Sequence, residues 1–480
     1  MAGTFSRSTD LLVIGGGPAG YMAAIRSGQL GRKPLLVEER DLGGECLNRG
    51  CIPSKALIHA SLLYRSLRDE GPEVGVTATD PKFDLGQTMR WKEEVVSKER
   101  QGVSALLKSA GASVLVGTAR FTGPHSADVT GPDGVHEQVD FQQAIVAVGA
   151  YHTTIPGFEL DGERVVNAWD LLSLKSLPRS MMILGGGVSG CELGEFLGRV
   201  GVEITIVEMM PQLLPGVEAD LAQELTRTLE RAGVRVRVGT RAVALRRESE
   251  SLTMTVEGPT GREELSAERL FVTVGKRPRT RELGLEEAGV AFDPKTGFIG
   301  VDDSMRTSQS HIFAAGDVAR PPMLAHKAYR EGIVAAEAAA GHPTRFQFHV
   351  IPSVIFTTPE LASVGFSKTE AEARGFAARE ARFPYVALGR AHASHALQGW
   401  VKVVGDETTG RLLGVHSAGE SVGEYIAEAA HAIEMGATVR DLALTIHPHP
   451  TFSEALQEAA LVWLGEPMHV ARRRSDAGGR

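Results

Sequence analysis

The sequence predicts an α/β fold with two Rossmann-like dinucleotide-binding domains and a terminal α+β domain. Three observations carry the prediction. A buried-strand run, a glycine-rich turn and a helical run follow one another in that order, twice. Both copies close on a second strand that ends in a glutamate. From about Phe346 the chain changes character: strands precede a long helix and a second one after Ser453, and no such turn occurs.

In the first copy, Asp10-Leu11-Leu12-Val13-Ile14 reads as a buried strand. It leads into Gly15-Gly16-Gly17-Pro18-Ala19-Gly20 and a helical run through Leu30. Gly15 permits the tight turn, Gly17 lets a pyrophosphate approach the backbone, and Gly20 lets helix and strand pack closely. The phosphate charge then meets the helix N-terminus. Pro34-Leu35-Leu36-Val37 forms the next strand and delivers Glu38, a carboxylate able to accept hydrogen bonds from a ribose.

The second copy runs Met181-Met182-Ile183-Leu184, then Gly185-Gly186-Gly187-Val188-Ser189-Gly190, then a helix and Ile204-Thr205-Ile206-Val207 before Glu208. Gly20 to Glu38 is 18 positions and Gly190 to Glu208 is 18, so the copies superimpose at an offset of 170 residues. A single glycine turn that merely joins a strand to a helix is common; two matched copies point to two bound dinucleotides. Glu208 would repel a 2′-phosphate, and Met209-Met210-Pro211 supplies no arginine to neutralise one, so the second copy favours NAD over NADP.

Cys46 and Cys51 follow the first copy closely. In a regular helix their alpha carbons would stand about 7.5 Å apart along the axis, whereas a disulfide wants roughly 4.4–6.8 Å. A bridge therefore needs a kink, and Gly50 is the residue type that permits one. Two unpaired, buried thiols are the plain alternative. A zinc site is disfavoured because no second cysteine pair or His-x-His run lies nearby.

The run Gly43-Gly44-Glu45-Cys46-Leu47-Asn48-Arg49-Gly50-Cys51-Ile52-Pro53-Ser54-Lys55 resembles the redox helix of the pyridine nucleotide–disulfide oxidoreductase family, which reads much like GGxCLNxGCIPSK. The resemblance implies a reducible Cys46–Cys51 disulfide beside FAD held by the first copy. It places Lys55 near the flavin, with Glu192 as its partner. Thr307-Ser308-Gln309-Ser310-His311-Ile312-Phe313-Ala314-Ala315-Gly316-Asp317 is similar to the family's second flavin motif, with Gly316 and Asp317 at the ribityl chain. Ala119 and Ala325 fall where backbone meets FAD, and Gly275 where the family passes the nicotinamide cofactor. Glu45 departs from the threonine or valine often found before the first cysteine, and adds a negative charge next to a reactive sulfur.

His447-Pro448-His449-Pro450-Thr451-Phe452-Ser453-Glu454 matches the family's HxHPTxSE signature. By resemblance, Glu454 orients His449 and raises its pKa, and His449 acts as a base on the other subunit's Cys46 and Cys51. Thr451-x-x-Glu454 before an apolar helix also reads as a capping box, and Glu454 can serve both purposes. The details CLNRGCIPSK, GDVARPPMLAHKA and IPSVIFTTPE are most similar to the branch that oxidises dihydrolipoyl groups with NAD as acceptor. That branch implies a homodimer whose partners are the lipoyl and docking domains of a dihydrolipoyl acyltransferase. Other branches fit less well: mercuric reductases add a C-terminal cysteine pair, and no cysteine follows Cys191 here, while Glu208 and Val188 disfavour glutathione reductase. Cys191 itself is expected in the core.

These readings divide the chain into an FAD-binding domain with the disulfide at 1–150 and an NAD-binding domain at 151–280. A central segment at 281–345 completes the FAD site, and an interface domain with the His–Glu pair fills 346–480. At 480 residues the chain has ample material for three cores. A net charge of -8, with scattered lysine and arginine, argues against nucleic acid. The short basic tail, Ala471-Arg472-Arg473-Arg474 with Gly478, Gly479 and Arg480, reads as a solvated end. Three cysteines and no apolar leader point to the cytoplasm, and no apolar stretch approaches the ~18–20 residues that span a bilayer.

Overall fold

The computed structural model describes residues 5–347 and 350–471. The basic tail beyond Ala471 lies outside them. The chain divides into two compact units, one of Met1–Pro178 with Arg269–Gln347 and one of Arg179–Glu268 with Phe348–Arg480.

In the first unit the predicted strand extends over Phe5–Ile14 (β1) and is followed by a helix at Pro18–Gln29 (α1) and a strand at Leu35–Glu38 (β2). Leu11, Leu12 and Val13 are fully buried, as an unbroken apolar run in a sheet covered on both faces should be. β1 pairs in parallel with β2, Leu12 opposite Leu35, and with His136–Val146, Ile14 opposite Val146. Among the described residues the sheet has seven strands, and the strand Ile312–Ala314 joins it beside His136–Val146. A segment some 300 residues downstream in the chain thereby delivers Gly316 and Asp317 to the same sheet edge where β1 delivers Gly15.

After β2 come two short-linked helices, Gly44–Arg49 (α2) and Cys51–Arg65 (α3). Leu47, Leu57 and Ile58 anchor them in the core.

The second unit repeats the parallel arrangement. Strand Ser180–Leu184 pairs with Glu203–Val207, Met182 opposite Thr205, and the latter pairs with Arg235–Arg237. The helix Val188–Arg199 follows its glycine turn. The terminal region forms a five-stranded antiparallel sheet among the described residues, in which Trp400–Asp406 and Leu412–Gly419 are neighbours. Helices Val422–Glu434 and Glu454–Leu464 contribute Ile426, Ala429, Leu456 and Trp463 to a core shared with Phe383, Val401, Val403 and Val415. No helix among the described residues is long and apolar enough to cross a membrane.

Candidate active site

The two glycine turns are the same structure built twice. Gly15 and Gly185 sit at φ 100° and 112°, a region open to glycine and costly for other residues. Their amides donate to Val37 and Val207 at 2.8 and 2.9 Å. The N-caps Gly17 and Gly187 share an extended geometry, at φ -73° and -75°. Glu38 Oε2 accepts the Gly16 amide at 2.6 Å and Glu208 Oε2 the Gly186 amide at 2.7 Å; Oε1 accepts Arg40 N at 2.9 Å and Met210 N at 2.8 Å, respectively. Every one of these pairs keeps the 170-residue offset. A methyl group on Gly20 would run into the Gly15 carbonyl oxygen, so helix and strand meet through bare backbone there. Gly190 is buried at the matching place. Burial is the largest influence on Glu38 and pushes its pKa up against the two amides that favour its charge.

Cys46 and Cys51 are joined by a disulfide with their alpha carbons 4.7 Å apart. The kink that this requires is present. Helix α2 stops at Arg49, Gly50 stands at φ -146°, ψ -109°, and α3 starts at Cys51. A methyl group on Gly50 would lie 3.1 Å from the Glu45 carbonyl oxygen and 3.2 Å from the Cys46 alpha carbon. Asn48 braces α2 by donating to the carbonyls of Leu42 and Gly44, both at 2.9 Å. Lys55 follows on α3.

One cavity in the first unit brings together Gly15, Gly17, Glu38, Cys46, Cys51, Gly316, Asp317 and Ala325, residues from four separate stretches of sequence. An adjoining cavity is lined by Glu38, Ala119 and Arg279. Asp317 is largely desolvated, which pushes its carboxyl up, while Lys276 and Lys327 pull it back. Gly275, at φ 107°, accepts the Thr153 amide through its carbonyl at 2.9 Å.

In the second unit Glu192 is buried on its helix and accepts the Phe356 amide at 2.9 Å. Cys191 is buried as expected, its thiol turned to the Gly186 carbonyl at 3.4 Å. At the far end of the chain Glu454 Oε1 lies 2.8 Å from His449 Nδ1, and Oε2 accepts the Thr451 amide at 2.7 Å. The capping box is half built. The carboxylate arm is present, but Ser453 holds the N-cap position and Thr451 Oγ1 bonds Pro448 O and Ser453 Oγ instead of the helix amides. The imidazole of His449 is 76% exposed, and its bond to Glu454 is made through Nδ1.

These features match known proteins over nearly the whole chain. Residues 9–332 match the pyridine nucleotide-disulphide oxidoreductase domain and residues 351–460 the dimerisation domain of the same family. The chain belongs to the pyridine nucleotide-disulphide oxidoreductase family. A dihydrolipoyl dehydrogenase of Thermus scotoductus is 45% identical over 470 residues, covering 97% of this chain and 100% of that protein. One from Bacillus subtilis is 39% identical over 473 residues, covering 98% and 100%. Among solved structures, LpdA from Mycobacterium tuberculosis superimposes with a TM-score of 0.88 at 28% identity, covering 95% of this chain and 99% of that one. The HOCl-induced flavoprotein disulfide reductase RclA from Escherichia coli gives 0.84 at 25%, also covering 95% and 99%.

The residues present suit the flavin nucleotide that this family uses. The Gly15–Gly20 cradle leaves the α1 amides open to a pyrophosphate, and the cavity runs from that cradle to the disulfide. Several of its wall residues carry no motif. Arg279 clamps Glu39 through two bonds of 2.8 and 2.9 Å, which holds the Glu39 carboxyl below its usual range. Trp169 stands in the same wall with the guanidinium groups of Arg40 and Arg49 at 5.6 and 5.4 Å from its ring centroid. Only the Asn167-x-x-Asp170 capping box around Trp169 is visible in sequence.

Proposed function

We propose that the chain oxidises protein-bound dihydrolipoamide to lipoamide, with NAD as the final acceptor, as a dihydrolipoyl dehydrogenase. The observation that carries this reading is the Cys46–Cys51 disulfide in one cavity with a dinucleotide cradle. Relatives of that activity at 39–45% identity over nearly their full length support the substrate. The setting we infer is a 2-oxo acid dehydrogenase complex, in which the chain would bind the lipoyl and docking domains of a dihydrolipoyl acyltransferase.

His449 Nε2 takes the proton of one substrate thiol, while Glu454 fixes the tautomer through Nδ1. The thiolate attacks Cys46 Sγ; the Cys46–Cys51 bond breaks and Cys51 leaves as a thiolate. The second substrate thiol then attacks the substrate sulfur of the mixed disulfide: protonated His449 gives its proton to Cys46 as that sulfur departs and takes the proton of the second thiol, which closes lipoamide and frees Cys46. Two electrons now reside on the cysteine pair. Lys55, Asp317, Gly316, Ala119 and Ala325 would hold FAD, which when bound would supply the two-electron carrier between that pair and NAD, and Gly275 would serve the nicotinamide cofactor.

His449 and Glu454 serve the cysteines of the partner subunit in this reading, so each site needs a homodimer. The dimerisation-domain match supports it. Glu208, turned into the second cradle, selects NAD. The deciding experiment is anaerobic: the purified yellow protein is mixed with dihydrolipoamide and then with NAD. Bleaching followed by recovery of the flavin spectrum is expected; a spectrum indifferent to dihydrolipoamide rejects the reading.

A further inference from the structure

Glu45 opens the turn that carries Cys46, and its carboxylate is the meeting point of three other segments. Oε1 takes the Lys276 ammonium at 2.6 Å and the Trp169 indole N–H at 3.0 Å, and His152 Nε2 stands 3.4 Å away. The three partners lie on the strand Ala150–His152, the helix Ala168–Leu171 and the strand Lys276–Pro278. The two strands are themselves paired, His152 opposite Lys276.

The far side of this node is held by several contacts. Trp169 is held by Arg40 and Arg49 over its ring and by the capping box that starts its helix. Burial pushes the His152 pKa down, which leaves Lys276 as the ionic partner of the carboxylate. The near side is a joint. Helix α2 has six residues and stops at Arg49, so Cys46 and Cys51 sit on different helices with Gly50 between the helices. The disulfide restrains that joint when it is closed. When it opens, the ease of reclosing depends on the effective concentration of one sulfur at the other, and a loose joint dilutes it.

We propose that Glu45 is a positioning residue which, with Lys276 and Trp169, holds the Cys46 turn at closing distance from Cys51 while the pair is reduced. The inference rests on reading Cys46–Cys51 as the redox pair. Reduction by an external dithiol breaks the Cys46–Cys51 bond, transfers two electrons and two protons to the cysteines, and forms the reductant's own disulfide. With the anchor in place the pair is poised toward the closed form; cutting the anchor shifts the balance toward the dithiol.

The test equilibrates full-length, flavin-loaded protein anaerobically with set ratios of reduced and oxidised dithiothreitol at one pH. Iodoacetamide then traps free thiols, and Cys46 and Cys51 are counted by mass. Trp169→Phe removes the indole N–H at constant charge, Glu45→Gln removes the charge at constant shape, and Lys276→Met leaves the carboxylate without its cation. All three are expected to move the equilibrium toward the dithiol, about two- to tenfold, the range one hydrogen bond supports. If Glu45→Gln loses flavin, the other two variants still read the sign. A purely electrostatic influence would drive Glu45→Gln and Lys276→Met in opposite directions and leave Trp169→Phe unchanged; that pattern overturns the proposal. Variants indistinguishable from a native pair that exchanges normally overturn it alone. A native pair that never exchanges with dithiothreitol overturns the redox reading and the proposal with it.

Discussion

Glu454 grips His449 with one carboxylate oxygen and the backbone of Thr451 with the other, at 2.8 and 2.7 Å. The second bond ties the carboxylate to the start of a buried helix, so the imidazole is oriented by the core of its own domain although it projects from the surface. Loss of the imidazole in His449→Ala should slow thiol oxidation by about 10²–10⁴-fold, the usual worth of a general base, with flavin content unchanged. Rapid mixing with dihydrolipoamide measures it. Exchange of His449→Ala subunits with Cys46→Ser subunits should restore activity, because one site in each mixed dimer then has every native group. Confirmed subunit exchange without activity would place the histidine elsewhere.

The two cysteines should not be equivalent. In the proposed assignment Cys51 is the sulfur on the flavin side, so Cys46→Ser should show a long-wavelength absorbance band, whereas Cys51→Ser should lack it. Identical spectra would reverse or remove the assignment.

Nicotinamide selection should depend on Glu208. Native protein is expected to favour NAD strongly over NADP in kcat/KM. Glu208→Gln should cost NAD about tenfold, in line with a hydrogen bond to a charged group, and should narrow the preference. Equal native values for the two cofactors would dismiss the carboxylate as the selector.

Gly20→Ala should be severe for so small a change. The new methyl group collides with the Gly15 carbonyl, and overpacking of this kind typically costs about 1–3 kcal/mol. Early flavin release on heating, followed by flavin fluorescence, is the expected signature; release at the native temperature would show that the turn yields freely.

His447, two residues before His449, offers a pH test of stability. Its Nε2 lies 2.9 Å from Glu428 Oε1, and this carboxylate, more than any other influence, raises the imidazole pKa. A raised histidine stabilises the fold fully below the ordinary imidazole pKa of about 6.5 and loses that contribution as pH rises through the raised value. The melting temperature of His447→Gln should therefore fall short of native most at pH 6 and converge with it toward pH 9. A gap that widens with pH contradicts the ion pair.

Much of this was legible because it is local. The glycine cradles and their terminal glutamates lie within a few dozen residues, and a strand–turn–helix has few ways to pack. The kink between the cysteines followed from spacing and one glycine. What stayed hidden depends on distance in sequence: Lys276 reaches Glu45 across 231 positions and Arg279 reaches Glu39 across 240. A charge at Glu45 was visible, but not that it faces a cation and an indole. The capping reading at Thr451 was half right because the threonine hydroxyl found the Pro448 carbonyl first.

The matched cradles make the chain its own control. A substitution at Glu38 and its counterpart 170 residues on at Glu208 alter identical bonds to Gly16 and Gly186, yet under the proposed function one change should report through flavin retention and the other through nicotinamide choice. Any effect shared by both is the price of the turn itself, and any difference belongs to the nucleotide proposed for each half.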